Sequence, residues 1–470
     1  MRTKVVATLG PATGEVDRIH ALVELGVDVF RINFAHSSHD TAAHLIGWIR
    51  EASAITGHPS AILADLAGPK IRIGALPDAV LLTEKNGVVL APEEMATGDE
   101  LPTTYAQLAR DVSKGDRILL DDGLMELRVA EVRDLRVACT VVRGGSLQPN
   151  KGINLPGVQV STPALTEKDR VDLRFALSQG VDYVGLSFVQ RAADIDDLRA
   201  LLPPDVLIVA KIEKDTALHN LEEILARTDA VMVARGDLGV ELPFEQVPLA
   251  QKRIVQLANM YARPVITATQ MLESMMHHPR PTRAEASDVA NALFDGTDAV
   301  MLSGETAAGR YPLLAVEAMV RIASEIEHTQ AYEEGPKYDV PLAHYLRSGA
   351  TPTQHAIAAA TVEATSLLHA PAIITITRSG STTRLVSSYR PPVPILGVSD
   401  QERTWRQLAL VWGVHPVHTT REISYENMLE AAREYLLVNR LAEPGQRVVV
   451  TAGVPFHVSG TTNMLRVEEI

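Results

Sequence analysis

Val209-Ala210-Lys211-Ile212-Glu213 and, a short helix later, Val231-Met232-Val233-Ala234-Arg235-Gly236-Asp237 decide how this chain is read. Successive side chains of an extended strand point to opposite faces, so Lys211 and Glu213 share a face, as do Arg235 and Asp237. Each pair closes an apolar run. If the runs are neighbouring parallel strands buried on both sides, their ends bring two carboxylates, a lysine and an arginine to one rim. Such a grouping suits a hard divalent ion and an anionic substrate.

The competing reading makes each charge a strand cap that meets solvent, which is ordinary for a single pair. Recurrence argues against it. Arg31 and Asn33 end the run from Val27, Thr267 and Thr269 the run from Val265, and Ser303 and Glu305 the run from Ala299. Five polar pairs at spacing two thus stand at the carboxyl ends of apolar runs, each followed by a helical stretch. Catalytic groups of a parallel β/α barrel occupy that end of the strands.

Working outward, strands are expected at residues 4–9, 27–34 and 61–66, with helices over 16–25 and 41–56. That alternation implies a parallel sheet with helical crossovers. Over residues 70–155 it gives way to short β-like runs between the turn signals Asn86-Gly87, Asp122-Gly123 and Gly144-Gly145. We read this stretch as a small β-barrel domain inserted at the rim, placed to act as a lid. The alternation resumes with strands at 183–188, 207–212, 230–234, 264–269 and 299–303, which with the first three makes eight. Eight is the number that closes a β/α barrel. Thr282 and Glu285 form a capping box that opens a helix over 283–294. Residues 329–350, with Gly335, Pro336 and Pro341, read as a linker. Beyond it, strands at 372–377, 393–398, 448–452 and 463–467 lie among helices over 354–368, 402–411 and 427–439. The fold class is therefore α/β: a (β/α)8 TIM barrel from residues 1–69 and 156–330, the inserted lid 70–155, and a C-terminal α/β domain over 345–470.

Composition narrows the partners. A net charge of −14 argues against non-specific binding to nucleic acid or to an anionic membrane, both of which need dense positive charge. Any anionic substrate must be held by a local cluster of cations. Apolar residues at 46% allow sizeable cores, and aromatics at 4% mean that Ala, Val, Leu and Ile build them. Cys139 is the single cysteine, which excludes an intrachain disulfide and a thiolate zinc site. Met1-Arg2-Thr3-Lys4 runs straight into a strand, leaving no room for a secretory leader, and no apolar run approaches bilayer length. The reading places the protein in the cytoplasm.

Several longer motifs are specific enough to name a family. They include Phe30-Arg31-Ile32-Asn33-Phe34, Asp65-Leu66-Ala67-Gly68-Pro69-Lys70-Ile71-Arg72 and Lys151-Gly152-Ile153-Asn154-Leu155-Pro156-Gly157. Lys211-Ile212-Glu213, Arg235-Gly236-Asp237-Leu238-Gly239-Val240-Glu241, Thr267-Ala268-Thr269-Gln270-Met271 and Met301-Leu302-Ser303-Gly304-Glu305-Thr306 follow in order. Together they resemble the pyruvate kinases. The resemblance implies transfer of the phosphoryl group of phosphoenolpyruvate to ADP, giving pyruvate and ATP, the last step of glycolysis. It implies Glu213 and Asp237 as ligands of Mg2+, with Mn2+ as an alternative, and Lys211 as the lysine facing the moving phosphoryl group. Arg31 becomes a phosphate-binding arginine, Gly236 and Asp237 donors to the substrate carboxylate, and Thr269 the hydroxyl beside the substrate methylene. Arg72, His36, Lys151 and Asn33 take the nucleotide side, although His36 reads equally well as a surface-turn histidine. Ser303 and Glu305 are open to a proton relay or a structural role, and Arg283 to a subunit contact. A homotetramer is implied by the resemblance alone. A magnesium-dependent aldolase of the same barrel group would share the carboxylates but have no use for Arg72, Lys151 or the lid.

Departures from the family pattern are informative. Ala35 stands where a serine commonly helps to bind potassium, Leu66 where potassium-requiring members have threonine, and Lys70 where they have glutamate. The Lys70 ammonium can supply the same positive field near Asn33 and Asp65. We therefore expect an enzyme that works without potassium. In the C-terminal domain, Thr377-Arg378-Ser379-Gly380-Ser381-Thr382 links a strand to a helix and resembles the family's effector loop. Its N–H and hydroxyl groups can cradle a phosphate. That implies a phosphorylated activator, a sugar phosphate or AMP.

Overall fold

Eight parallel strands close on one another in chain order: Lys4–Thr8, Val29–Asn33, Ala61–Asp65, Tyr183–Leu186, Leu207–Ile212, Ala230–Ala234, Val265–Ala268 and Ala299–Leu302. The last pairs with the first, Lys4 opposite Ala299, so no edge is left open. This computed structural model describes residues 1–333, 350–421, 423–456 and 461–470. Most of the expected linker, with Gly335, Pro336 and Pro341, lies outside the described residues.

Burial on both faces explains the near-continuous apolar strands. One core fills the barrel interior, with Val6, Leu63, Val209, Met232 and Ile266 among its members, and another packs the outer strand faces against the helices. Ala409 and Leu410 of the C-terminal domain belong to the interior cluster and plug the amino-terminal end of the barrel. The helix Arg283–Phe294 begins where its sequence signal puts it, with the reciprocal bonds of Thr282 and Glu285 both formed.

The inserted segment builds a six-stranded, mostly antiparallel sheet from Ile153–Asn154 at one edge to Leu101–Thr103 at the other, plus a two-stranded ribbon. The hydrogen-bonded ladder itself is open. Residues 71–74 draw its edges together, because the Ile73 amide donates to the Lys151 carbonyl at 2.8 Å while the Thr104 amide donates to the Arg72 carbonyl at 3.0 Å. A separate cluster around Leu90, Ile118, Leu127 and Val137 fills this unit.

The C-terminal sheet has five strands, in the order Val414–His418, Ile395–Ser399, Ile373–Ile376, Arg447–Gly453 and Thr462–Glu469, the last antiparallel. Val414–His418 is a strand that the sequence reading missed, since His415 and Pro416 interrupt any apolar run. The helix expected over 402–411 stops at Gln407 and continues as a 3-10 turn, Leu408–Leu410, which is what delivers the plug.

Candidate active site

Lys211 is the centre of a buried polar cluster at the carboxyl ends of the strands. Its ammonium lies 2.9 Å from Glu213 Oε1 and 3.4 Å from Asp65 Oδ1, and donates to Ser187 Oγ at 2.7 Å. The Glu213 and Asp65 side chains are each 1% exposed. Room for Asp65 comes from the neighbouring strand: a Cβ on Gly185 would sit 3.0 Å from Asp65 Oδ1. Ser187 is fixed in turn by donating to the Leu66 carbonyl at 2.8 Å. The second Glu213 oxygen accepts from the Phe188 amide at 2.7 Å, with Phe188 at a left-handed φ of 56°.

Burial opposes the charge on Lys211, but Asp65 and Glu213 outweigh it and raise its pKa. Burial likewise works against the Asp65 carboxylate, and here Lys211 and Arg31 prevail and hold it below the usual range. Glu213 goes the other way. Burial, opposed by Lys211 and reinforced by the charge of Asp237, pushes its carboxyl up. A buried carboxyl whose charge a second carboxylate disfavours suits a site for a divalent cation. The donors are hard oxygens, so the residues fit Mg2+. Among the described residues no group of three or more His, Cys, Asp or Glu could hold a metal.

Arg31 reaches the cluster from the second strand, donating from Nε to Asp65 Oδ2 at 2.7 Å and from Nη1 to Thr8 Oγ1 at 3.2 Å. Thr269 and Gly236 meet across two strands, the Gly236 amide donating to Thr269 Oγ1 at 2.7 Å. The N–H assigned to a substrate carboxylate is thus engaged here by a side chain. Arg72 and Lys151 come together at the neck of the lid, Arg72 donating to the Asn150 carbonyl at 2.9 Å and Lys151 pairing with Asp121 at 2.9 Å. His36 is exposed on the barrel rim. Nearby, the Asn33 side chain accepts from the Ala35 amide at 3.0 Å. Lys70 is exposed and lines the cleft between lid and barrel, with Cε close to Gly152. Asp65 is joined by Arg31 and Lys211 instead.

At three of the five pairs the strand alternation does not carry both side chains to the rim. The helix Arg235–Glu241 starts directly after Ala234, so Arg235 and Asp237 are not on a strand. Arg235 turns away, bonding Asp288 at 2.6 Å and the Thr269 carbonyl at 2.6 Å. Thr267 is buried, its hydroxyl 2.9 Å from that of Thr297, and does not reach the rim. Glu305 is fully buried and accepts from the amides of Leu272 and Ser303, the bonding of a structural group. Ser187 was missed, although a polar residue at the end of the run 183–188 was a usable signal.

The candidate effector loop lies apart, in the C-terminal domain. Thr377 Oγ1 accepts from the Gly380 amide at 2.9 Å, and Gly380 has the positive φ of 78° that this turn requires. Arg378 is exposed beside a small pocket formed by Ser379, Ser381, Thr382, Met428 and Phe456.

Fold and site together define the class: a closed β/α barrel with a buried lysine and carboxylates gathered at the carboxyl ends of its strands. Comparisons with known proteins carry this further. Residues 1–316 match the family described as pyruvate kinase, barrel domain, and residues 355–468 the pyruvate kinase alpha/beta domain. A pyruvate kinase from Geobacillus stearothermophilus is 45% identical, the match covering 100% of this chain and 80% of the relative. One from Mycobacterium tuberculosis is 44% identical over 100% of this chain and 98% of the relative. The crystal structure of a pyruvate kinase from Cryptosporidium parvum superposes with a TM-score of 0.91 at 32% identity, covering 100% of this chain and 96% of that one. The chain belongs to the pyruvate kinase family. It is a phosphotransferase, membership implies phosphoenolpyruvate and ADP as substrates, and the family generally uses Mg2+. Among the described residues no helix is long and apolar enough to cross a membrane.

Proposed function

We propose that phosphoryl transfer takes place over Lys211, at the barrel rim beneath the lid. The bond between phosphorus and the enol oxygen of phosphoenolpyruvate breaks, a bond to the terminal phosphate oxygen of ADP forms, and the electron pair stays on the enolate. The Lys211 ammonium, kept charged by Asp65 and Glu213, stabilises that anion. Arg31 positions the phosphoryl group, and Gly236 and Asp237 the substrate carboxylate. Thr269 stands on the route by which a proton reaches the methylene carbon. Glu213 and Asp237 would hold Mg2+, or Mn2+ in its place, which when bound supplies positive charge to substrate oxygens. Arg72, Lys151, His36 and Asn33 serve ADP. The observation that carries this reading is the Lys211 ammonium, 10% exposed, 2.9 Å from Glu213.

Three finer features belong to the same proposal. Catalysis is independent of potassium: Ala35 and Leu66 offer no hydroxyl, and Lys70 brings a fixed cation to the cleft. A sugar phosphate or AMP activates the enzyme at the loop from Thr377 to Thr382, where the exposed Arg378 can meet a phosphate. The 1–69 and 156–330 barrel, the 70–155 lid and the 345–470 effector and oligomerisation domain make up one subunit of a cytoplasmic homotetramer, for which exposed Phe244 and Leu249 offer apolar contact surface. A coupled assay of ADP-dependent pyruvate formation, run free of potassium and then with it, tests the central claim. Full activity in Lys211→Met would sink it, and a large potassium stimulation would remove the cation claim. Loss of effector activation in Arg378→Glu, with activity at saturating substrate intact, tests the loop.

A further inference from the structure

Lys214, Glu241 and Asn154 make a polar contact in the cleft between lid and barrel. Lys214 follows Glu213, and its ammonium, on a side chain 10% exposed, lies 3.2 Å from Oε1 of Glu241, which is 2% exposed. Glu241 ends the helix Arg235–Glu241, whose first turn carries Gly236 and Asp237. The same Oε1 accepts from the Asn154 side-chain amide at 3.4 Å. Asn154 belongs to the lid strand Ile153–Asn154. One carboxylate oxygen therefore joins the loop after Glu213, the helix bearing Asp237, and the lid.

The chemistry of the three groups differs in a useful way. A withdrawn ion pair such as Lys214 with Glu241 is strongly destabilised when one partner is removed, so it stays made. The Asn154 amide is neutral, and its bond is long. It can form and break as the lid moves without leaving a charge stranded. Lys151 is three residues before Asn154 on the same strap, and Arg72 bridges Gly152 between them. Where Asn154 seats limits where Lys151 can reach.

We propose that Asn154 is a positioning residue: seated on the Glu241–Lys214 pair, it holds the lid strap so that Lys151 faces the Asp237 side of the cleft when ADP is bound. This rests on the assignment of Lys151 to the nucleotide. In the full-length enzyme Asn154→Asp sets two carboxylates against each other. It raises KM for ADP about tenfold, leaves KM for phosphoenolpyruvate within about twofold, and speeds amide hydrogen exchange over residues 151–158 at unchanged Tm. Asn154→Asp combined with Glu241→Gln exchanges carboxylate and amide across the contact, and returns KM for ADP to within about threefold of the parent. The proposal is overturned if Asn154→Asp and Asn154→Ala leave ADP affinity and exchange unchanged, or if the double variant is no better than Asn154→Asp alone. Lys151→Ala, measured in parallel, separates the two levels. If it weakens ADP binding and the Asn154 variants do not, the seat is wrong and the nucleotide assignment stands; if it has no effect, the assignment falls and the seat with it.

Discussion

Thr269 Oγ1 accepts a hydrogen bond from the Gly236 amide at 2.7 Å, tying the end of one barrel strand to the helix that follows its neighbour. Thr269 holds this contact from a left-handed φ of 67°, a conformation that costs a β-branched residue about 1–3 kcal/mol. Thr269→Gly is therefore expected to unfold no more readily than the parent while losing roughly a hundredfold in kcat. Thr269→Ser, which keeps the hydroxyl, retains most of the activity. Thermal unfolding beside the coupled assay checks both, and a fully active glycine variant would remove Thr269 from the mechanism.

Among the described residues, Lys211 is the cation that pairs with both Asp65 Oδ1 and Glu213 Oε1. Lys211→Met is expected to lower kcat by roughly 10²–10³-fold, and Lys211→Arg to rescue little, because a planar guanidinium does not fit the place of a compact ammonium. On the metal side, Glu213→Gln and Asp237→Asn should each weaken Mn2+ binding at least about tenfold without substrate present. Electron paramagnetic resonance of free Mn2+ measures it. Unaltered affinity in both variants would place the ion elsewhere.

Potassium dependence should be installable. Ala35→Ser, Leu66→Thr and Lys70→Glu together restore two hydroxyls and replace a fixed cation by a carboxylate. The triple variant is expected to be nearly inactive in potassium-free buffer and to recover severalfold when potassium is added. A variant indifferent to potassium would show that Lys70, which lines the lid cleft, does not perform the ion's role.

Acid sensitivity should arise at the joint between barrel and C-terminal domain. Burial, followed by the charges of Lys4 and the Met1 amine, holds the His415 imidazole down to about 4 from an ordinary 6.5. The unfolded chain takes up a proton between those values that the folded chain refuses. The stability that neutral His415 contributes is thus fully present above pH 6.5 and declines as pH falls towards 4. The loss amounts to about 1–3 kcal/mol. His415→Gln should flatten the fall in urea midpoint between pH 6.5 and 4.5; an unchanged slope would mean that another group sets it.

Much of the fold was legible because its signals are local. The eight apolar runs, the break in alternation across the insertion and the Thr282–Glu285 capping box each depend on residues close in the chain. Lys211 and Glu213 also came out as read, because the strand Leu207–Ile212 keeps its extended geometry up to the site. Arg235 and Asp237 did not, since the chain turns helical at Arg235 and period two gives way to a helical turn. Val414–His418 escaped for the opposite reason: its pairing with Ile395–Ser399, and not its own apolar pattern, makes it a strand.

The order of residue types determined that this chain forms a barrel of alternating strands and helices, with Lys211 and Glu213 together at the carboxyl rim. Periodicity and turn chemistry act over a few residues, and a linear sequence records them. Only the tertiary structure decided that Ser187 would hold Lys211, that Asp65 would divide its oxygens between Lys211 and Arg31, and that Asn154 of the lid would meet Glu241. Those contacts join residues far apart in the chain, and barrel closure, which fixes the spacing of every strand end at once, brings them within bonding distance.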